Sequence, residues 1–320
     1  VERGRDRRAD SADCDAHAAT GARRMTRVYG VLGWPVAHSR SPAMHNAAFA
    51  ALGVDANYLR FPVAPGALAD ALRGLRALGI AGANVTIPHK SAVLPLLDMV
   101  DDAARAIGAV NTIVCDADGR LRGTNTDAGG LVAALCEAGA RLDGANVLVL
   151  GAGGAARAAV YGLAQAGASV TVATRRADAA RSLGAMTNDA VPAVSTLTHA
   201  ALPAVATLTL DDATALRAAF ARADLIVQAT SATLHVDGDD SAARAFVARL
   251  PLDALRRDAL VTDLVYAPRE TALLTAVRAH GAQTLDGTAM LLHQGALAFT
   301  EWTGLDAPLA VMRAALDAAL

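Results

Sequence analysis

Lysine is almost absent from this chain. Of its 29 basic residues only Lys90 is a lysine, and the others are arginine. The sequence leans toward Ala, Arg, Gly and Val, and under that bias a charge that needs only to be solvated drifts to arginine. Guanidinium stays charged, whereas a lysine amine can be tuned to give or take a proton near neutral pH. Lys90, at the end of Asn84-Val85-Thr86-Ile87-Pro88-His89-Lys90, is therefore a candidate proton donor, with chance survival of a surface lysine as the rival reading. Cysteine is also scarce. Cys14, Cys115 and Cys136 are odd in number and lack metal-type spacing, which predicts free thiols in a reducing compartment, the cytoplasm. The eight histidines show no metal spacing either; His38, His45 and His89 are expected to be polar packing, and no metal is expected. No apolar run approaches 18 residues, which excludes a transmembrane helix. A formal net charge of -2 gives no electrostatic case for nucleic acid or an anionic membrane. No internal repeat is visible.

What is present describes a soluble globular protein: 53% hydrophobic and 19% charged residues. At 320 residues the chain is long for one core and fits two domains. Residues 1–24, with six arginines and five acids, lack the apolar stretch of a signal peptide and are too acidic for a transit peptide. They read as a disordered tail before a start at Met25.

Strands are predicted at 28–33, 57–63, 82–87, 110–115 and 120–124. Helices are predicted at 41–52, with Ser41 as N-cap and Pro42 in the first turn, at 65–78 and at 90–99. This alternation implies a mostly parallel sheet. Asp127 is expected to cap a helix running to 138. A second unit then begins with a strand at 146–150, a helix to 165 and a strand at 169–174. Further strands fit 224–230 and 260–266, and helices fit 271–280, 288–303 and 307–320. The stretch 185–210 follows no period and reads as an irregular insertion.

Gly151-Ala152-Gly153-Gly154-Ala155-Ala156 lies between a buried strand and a helix, which raises a weak pattern to a strong one. Gly151 permits the tight turn, Gly153 admits a pyrophosphate to the backbone, and Ala156 allows close helix–strand packing. The helix N-terminus offers free N–H groups to phosphate. An NAD site places an acid at the end of the next strand to hold the ribose 2′-hydroxyl. Here Thr174-Arg175-Arg176 supplies no acid and two guanidiniums, which match a 2′-phosphate and point to NADP(H). The plainer reading of the two arginines is a solvated helix start.

The ordered motifs are Gly33-Trp34-Pro35-Val36-Ala37-His38-Ser39-Arg40-Ser41-Pro42, the Asn84–Lys90 segment, Ala109-Val110-Asn111-Thr112 and Gly123-Thr124-Asn125-Thr126-Asp127. The glycine loop, Asp263-Leu264-Val265-Tyr266-Ala267-Pro268 and Leu292-His293-Gln294-Gly295-Ala296 follow. Over Met25–Leu320 the chain resembles the shikimate dehydrogenases. That resemblance implies a two-domain α/β fold. An N-terminal α/β substrate domain (25–126 with 288–320) would face a Rossmann-type NADP-binding domain (127–287) across a cleft that holds the site. It implies reversible NADPH-dependent reduction of 3-dehydroshikimate to shikimate, a step toward chorismate and the aromatic amino acids. Lys90 and Asp127 would form the acid–base pair, with Ser39 and Ser41 on the substrate carboxylate and Asn84, Thr86, Asn111, Tyr266 and Gln294 around the ring. Gly151, Ala152, Gly153, Gly154, Ala155, Thr174, Arg175, Arg176, Thr230 and Gly287 would hold the cofactor. The partner is a small molecule, and the chain a monomer or homodimer.

Simpler roles stand beside these: capping for Ser41 and Asp127, loop fixing for Asn84 and core packing for Tyr266. Two departures fall on the cofactor side. The family's Asn-Arg-Thr is Thr174-Arg175-Arg176 here, and its Asn-Ala-Thr-x-x-Gly becomes Gln228-Ala229-Thr230-Ser231-Ala232-Thr233. A quinate or amino-shikimate dehydrogenase and a non-catalytic NADP-binding sensor are the alternatives.

Overall fold

The computed structural model describes residues 25–175, 205–234 and 239–320. The expected tail at 1–24, Arg176 and most of the expected insertion lie outside those residues.

The first half of the chain builds one six-stranded sheet, in the order β2-β1-β3-β5-β6-β4. Its strands are β1 (Arg27–Gly33), β2 (Ala56–Pro62), β3 (Gly82–Val85), β4 (Met99–Val100), β5 (Thr112–Cys115) and β6 (Leu121–Thr124). The helices of this half are α1 (Ser41–Ala51), α2 (Leu68–Ala77) and α3 (Asp102–Ile107). β1 pairs parallel with β2 and β3, and β4 with β6, but β5 runs against both β3 and β6. The mostly parallel expectation fails at β5 because a tight turn joins it to β6. Asp116 N–H donates to Arg120 O, and Gly119 takes φ +76; so short a connection can only link antiparallel strands. On one face Leu68, Leu72 and Leu75 of α2 pack with Leu32, Val85, Ile113 and Leu121. Their spacing is that of a helix burying one stripe.

The helix predicted at 90–99 does not form. Pro95 has no N–H and would clash with the carbonyl four residues back, and only a 3₁₀ turn at Leu94–Leu96 appears before β4. α3 was not foreseen, although its signals are present. The Asp101 side chain accepts from Ala104 N–H at 2.6 Å, and Gly108 closes the helix at φ +69.

The second sheet is fully parallel. Its strands are β7 (Asn146–Leu150), β8 (Ser169–Thr174), β9 (Ala206–Thr209), β10 (Leu225–Gln228), β11 (Leu260–Asp263) and β12 (Gln283–Leu285), in the order β12-β11-β10-β7-β8-β9. This is the doubly wound order 3-2-1-4-5-6. Helices α4 (Asp127–Glu137), α5 (Gly154–Gln165), α6 (Ala213–Arg222), α7 (Ser241–Ala248) and α8 (Ala272–His280) accompany it. β9 corrects the insertion reading: 206–209 pair with 171–174 as an edge strand. Half-exposed Ala-Thr-Leu-Thr shows neither alternation nor a continuous apolar run, so pattern reasoning passed over it.

Two C-terminal helices return to the first sheet, α9 (Thr288–Thr303) and α10 (Leu309–Ala319). α9 joins both cores. Ala289 and Met290 pack with β7 and α5 residues, whereas Leu292, Phe299 and Trp302 pack with Tyr29, Met44 and Phe49. α4 and α9 touch through Gly130, where a Cβ would lie 2.6 Å from Gln294 N. Any larger residue at 130 would force the two helices apart.

Candidate active site

Parallel strands gather functional side chains at their carboxyl ends, where strand order reverses. In the first sheet that reversal is at β1. Ser39 and Ser41 follow β1, and Thr86 and Lys90 follow its neighbour β3. Because β5 runs the other way, Asn111, just before it, lies at the same edge, and Asp127, just after β6, does too. The mixed sheet thus brings together residues separated by up to 88 positions in the sequence.

Lys90 Nζ donates to Asp127 Oδ2 at 2.5 Å, with the lysine side chain 18% and the aspartate 5% exposed. Asn111 Nδ2 donates to Asp127 Oδ1 at 2.8 Å and lies 3.2 Å from Gln294 Oε1. Asn111 Oδ1 in turn accepts from Thr126 N–H at 2.7 Å. Asp127 is not the helix cap. Asn125 Oδ1 takes the N–H groups of Asp127 and Ala128 at 3.0 and 3.3 Å. The Asp127 carboxylate is left for Lys90, in the first turn of α4 where negative charge is favoured. Ser41 does not cap α1 either: Arg40 is the N-cap residue and its side chain makes no cap bond, while Ser39 Oγ accepts from Ser41 N–H at 3.4 Å.

Asn84 is buried and heavily committed. Its Nδ2 donates to Asn111 O and Thr112 Oγ1, both at 3.1 Å, and its Oδ1 accepts from Tyr58 Oη at 2.7 Å. Both amide hydrogens are used inside the protein, which favours the loop-fixing role; one carbonyl lone pair is left for a ligand. Thr86 stands with its methyl over Gly33, 2.4 Å from where a Cβ would be. Sequence reasoning missed Tyr58. Its phenol is driven well above the ordinary range by burial, and the Ser41 side chain hydrogen-bonds to it. The only sequence signal was a tyrosine on a half-buried strand, whose hydroxyl needs a partner once buried. Its ring stacks on His45 with centroids 4.4 Å apart. His45 is fully buried, neither ring nitrogen has a partner among the described residues, and burial pushes its pKa down to about 3. His45 is thus a neutral packing plate. His89 Nε2 pairs with Val63 O at 2.7 Å, as polar packing predicts.

Tyr266 comes from the other sheet and spans the cleft. Burial raises its phenol pKa, and its hydroxyl faces the Ser39 side chain and the Arg40 backbone N–H. Arg60 fixes this corner by donating from Nε and Nη2 to Ser39 O at 3.1 and 2.6 Å.

The glycine loop closes the cleft from the second sheet. Gly151 has φ +122, and a Cβ there would lie 3.0 Å from Thr230 Cγ2 and 3.2 Å from Ala229 O. Such a φ and so close an approach require glycine. At Gly153, the N-cap of α5, a Cβ would meet nothing within 4 Å; the space before the helix N-terminus is open, as a phosphate requires. Ala152 and Ala155 flank it, half-buried. Gly154 packs on the lysine, its Cβ position 3.3 Å from Lys90 Cβ. The glycine loop and Lys90 are therefore neighbours. Thr174 is buried at the end of β8 and Arg175 exposed just beyond it, and neither of these described residues is an acid. Gly287 abuts Leu264 O, 2.7 Å from its Cβ position. These residues fit a 2′-phosphorylated dinucleotide. Among the described residues no cluster of His, Cys, Asp or Glu could hold a metal.

Asp263, fully buried at the end of β11, accepts from Val265 N–H (3.1 Å), Thr233 Oγ1 (3.2 Å) and Thr271 Oγ1 (2.8 Å). Burial outweighs those bonds and raises its pKa from 3.8 to about 6. The native state therefore binds this proton more tightly than the unfolded chain does, and stability falls as pH rises from about 4 to 6. At pH 8 the ionised group costs at most about 3 kcal/mol. Asp263→Asn is expected to melt above the native protein at pH 8, with the advantage gone near pH 4. Parallel thermal melts check this, and an advantage independent of pH would refute it.

A shikimate dehydrogenase (NADP(+)) from Symbiobacterium thermophilum is 46% identical over 298 residues, 92% of this chain and 95% of the relative. The chain belongs to the shikimate dehydrogenase family. The family's substrate-binding-domain model matches residues 31–113, and the model of the shikimate 5'-dehydrogenase C-terminal domain matches 287–316. Among solved members, the Thermus thermophilus shikimate 5-dehydrogenase in complex with NADP(H) and shikimate is 36% identical, with TM-score 0.77 over 92% of this chain and all of the other. A Corynebacterium glutamicum quinate dehydrogenase in complex with NAD is 35% identical at the same TM-score, covering 92% and 99%. The family thus includes the quinate alternative, and the residues at each site must separate the two.

Proposed function

We propose that this chain is an NADP-dependent shikimate dehydrogenase that reversibly reduces 3-dehydroshikimate to shikimate. The observation that carries the reading is the Lys90–Asp127 pair lying against Gly154 of the phosphate loop. Residues 25–126 with 288–320 hold the substrate, and residues 127–287 hold the cofactor. Gly151, Ala152, Gly153, Gly154 and Ala155 cradle the pyrophosphate, Arg175 meets the 2′-phosphate, and Thr230 and Gly287 border the nicotinamide end. NADPH supplies the hydride when bound. Lys90 donates the proton to the substrate oxygen as it gains charge, and takes it back in the oxidation. Such assistance is worth about 10²–10⁴ in rate. Asp127 keeps the ammonium aimed, and Asn111 keeps Asp127 aimed. Ser39, Ser41 and Tyr266 take the substrate carboxylate, and Thr86, Asn111 and Gln294 take ring hydroxyls, with one acceptor from Asn84. Among the described residues no helix is long and apolar enough to cross a membrane, and Cys115 and Cys136 are free. We place the enzyme in the cytoplasm, as a monomer or a homodimer.

Absorbance at the NADPH band tests this with shikimate and then quinate, each with NADP+ and NAD+. Shikimate with NADP+ is expected to give the highest kcat/KM. Higher turnover of quinate with NAD+ would move the chain to the quinate branch. Binding of NADP+ with no shikimate oxidation would establish the sensor reading.

A further inference from the structure

The two changed positions of the family pattern Asn-Ala-Thr-x-x-Gly meet in space. Gln228 stands for the Asn and Thr233 for the Gly; both are fully buried, and Gln228 Nε2 donates to Thr233 Oγ1 at 3.2 Å. The glutamine also closes the loop on itself, since Oε1 accepts from Thr230 N–H at 2.9 Å and Nε2 donates to Thr230 O at 3.1 Å. Thr233 Oγ1 in turn donates a hydrogen bond to Asp263 Oδ1 at 3.2 Å. The chain of bonds therefore runs from the end of β10 through the loop to the end of β11. A glycine at 233 has no hydroxyl with which to make either bond.

That loop is a wall of the cofactor cleft. Ala229 and Thr230 are the residues that crowd Gly151, so a shift of the loop displaces the surface against which the phosphate turn rests. Inside the protein each link is made at low dielectric and none is replaced by water, so loss of one leaves its partners unsatisfied.

We propose that Gln228, Thr233 and Asp263 are positioning residues, a buried lock that holds loop 229–234 against the glycine loop in the geometry that binds NADP(H). The lock rests on the function proposed above. It makes the two departures a matched pair, one side chain supplying the bond that the other needs.

A double-mutant cycle tests it with near-isosteric changes, Thr233→Val and Gln228→Met, and with Thr233→Ser as the rescue. Readouts are NADP+ affinity by calorimetry, KM for NADP+ and for shikimate, and Tm. Each single change is expected to weaken NADP+ about 5- to 20-fold, with KM for shikimate within about twofold. The double variant should be little worse than the poorer single one, because both cut the same chain. Thr233→Ser should behave as the native protein. Lowered Tm with native NADP+ affinity would show packing alone and overturn the proposal, as would losses that simply multiply. If the native enzyme binds NADP+ but does not oxidise shikimate, the function falls, and calorimetry still decides the lock.

Discussion

Lys90→Met is expected to lower kcat by about 10²–10⁴ and to leave KM for shikimate within a few-fold. Methionine keeps most of the stem that packs on Gly154 and removes the ammonium assigned above as the proton donor to the substrate oxygen. Loss of a contact made chiefly in the transition state lowers kcat and kcat/KM together, whereas loss of a binding contact raises KM. Asp127→Asn should follow at a smaller cost. A carboxamide can serve only one of the two donors now meeting Asp127, Lys90 Nζ and Asn111 Nδ2. The double variant should be no worse than Lys90→Met, since an orienting group without its acid has nothing to orient. Native kcat in Lys90→Met would end the acid–base assignment, and a large rise in KM alone would make Lys90 a binding residue.

The site was legible where chemistry restricts residue type. One lysine in an arginine-rich chain, a glycine loop between strand and helix and a glutamine on an apolar helix each needed a reason, and the structure brings Lys90, Asp127, Asn111 and Gln294 into contact. Strongly periodic segments were legible too: α9 spans the predicted 288–303. Local rules misplaced two caps in the same way. Ser41 and Asp127 have the right chemistry for an N-cap, yet each sits one residue inside its helix, after Arg40 and Thr126 in αR geometry. The side chains that would satisfy the helix are thereby released to the cleft, and departures from local consistency are expected at functional sites. What stayed hidden depended on tertiary contact. β9 exists because β8 offers it an edge. Tyr58 matters because the fold sets Asn84 and Ser41 around its hydroxyl, and no spacing in the sequence announces that.

Cofactor choice carries the second large effect. Arg175→Asp is expected to cut kcat/KM for NADP+ by about a hundredfold and to raise that for NAD+. β8 is the strand next to β7, which ends in the glycine loop, so its carboxyl end is where a doubly wound fold places the adenosine ribose. An aspartate there accepts from a 2′-hydroxyl and repels a 2′-phosphate, so one substitution acts on both arms of the ratio. Arg175→Ala separates them, because it loses the phosphate contact without adding an acceptor. It should weaken NADP+ by about tenfold and leave NAD+ unchanged. Arg175 is exposed, so its pairing with phosphate is screened, and the native preference for NADP+ should shrink as salt rises while that of Arg175→Ala changes less. The check is kcat/KM for both nucleotides at low and high salt with shikimate saturating. If both variants keep the native ratio, the 2′-phosphate is held elsewhere and the assignment of Arg175 is wrong.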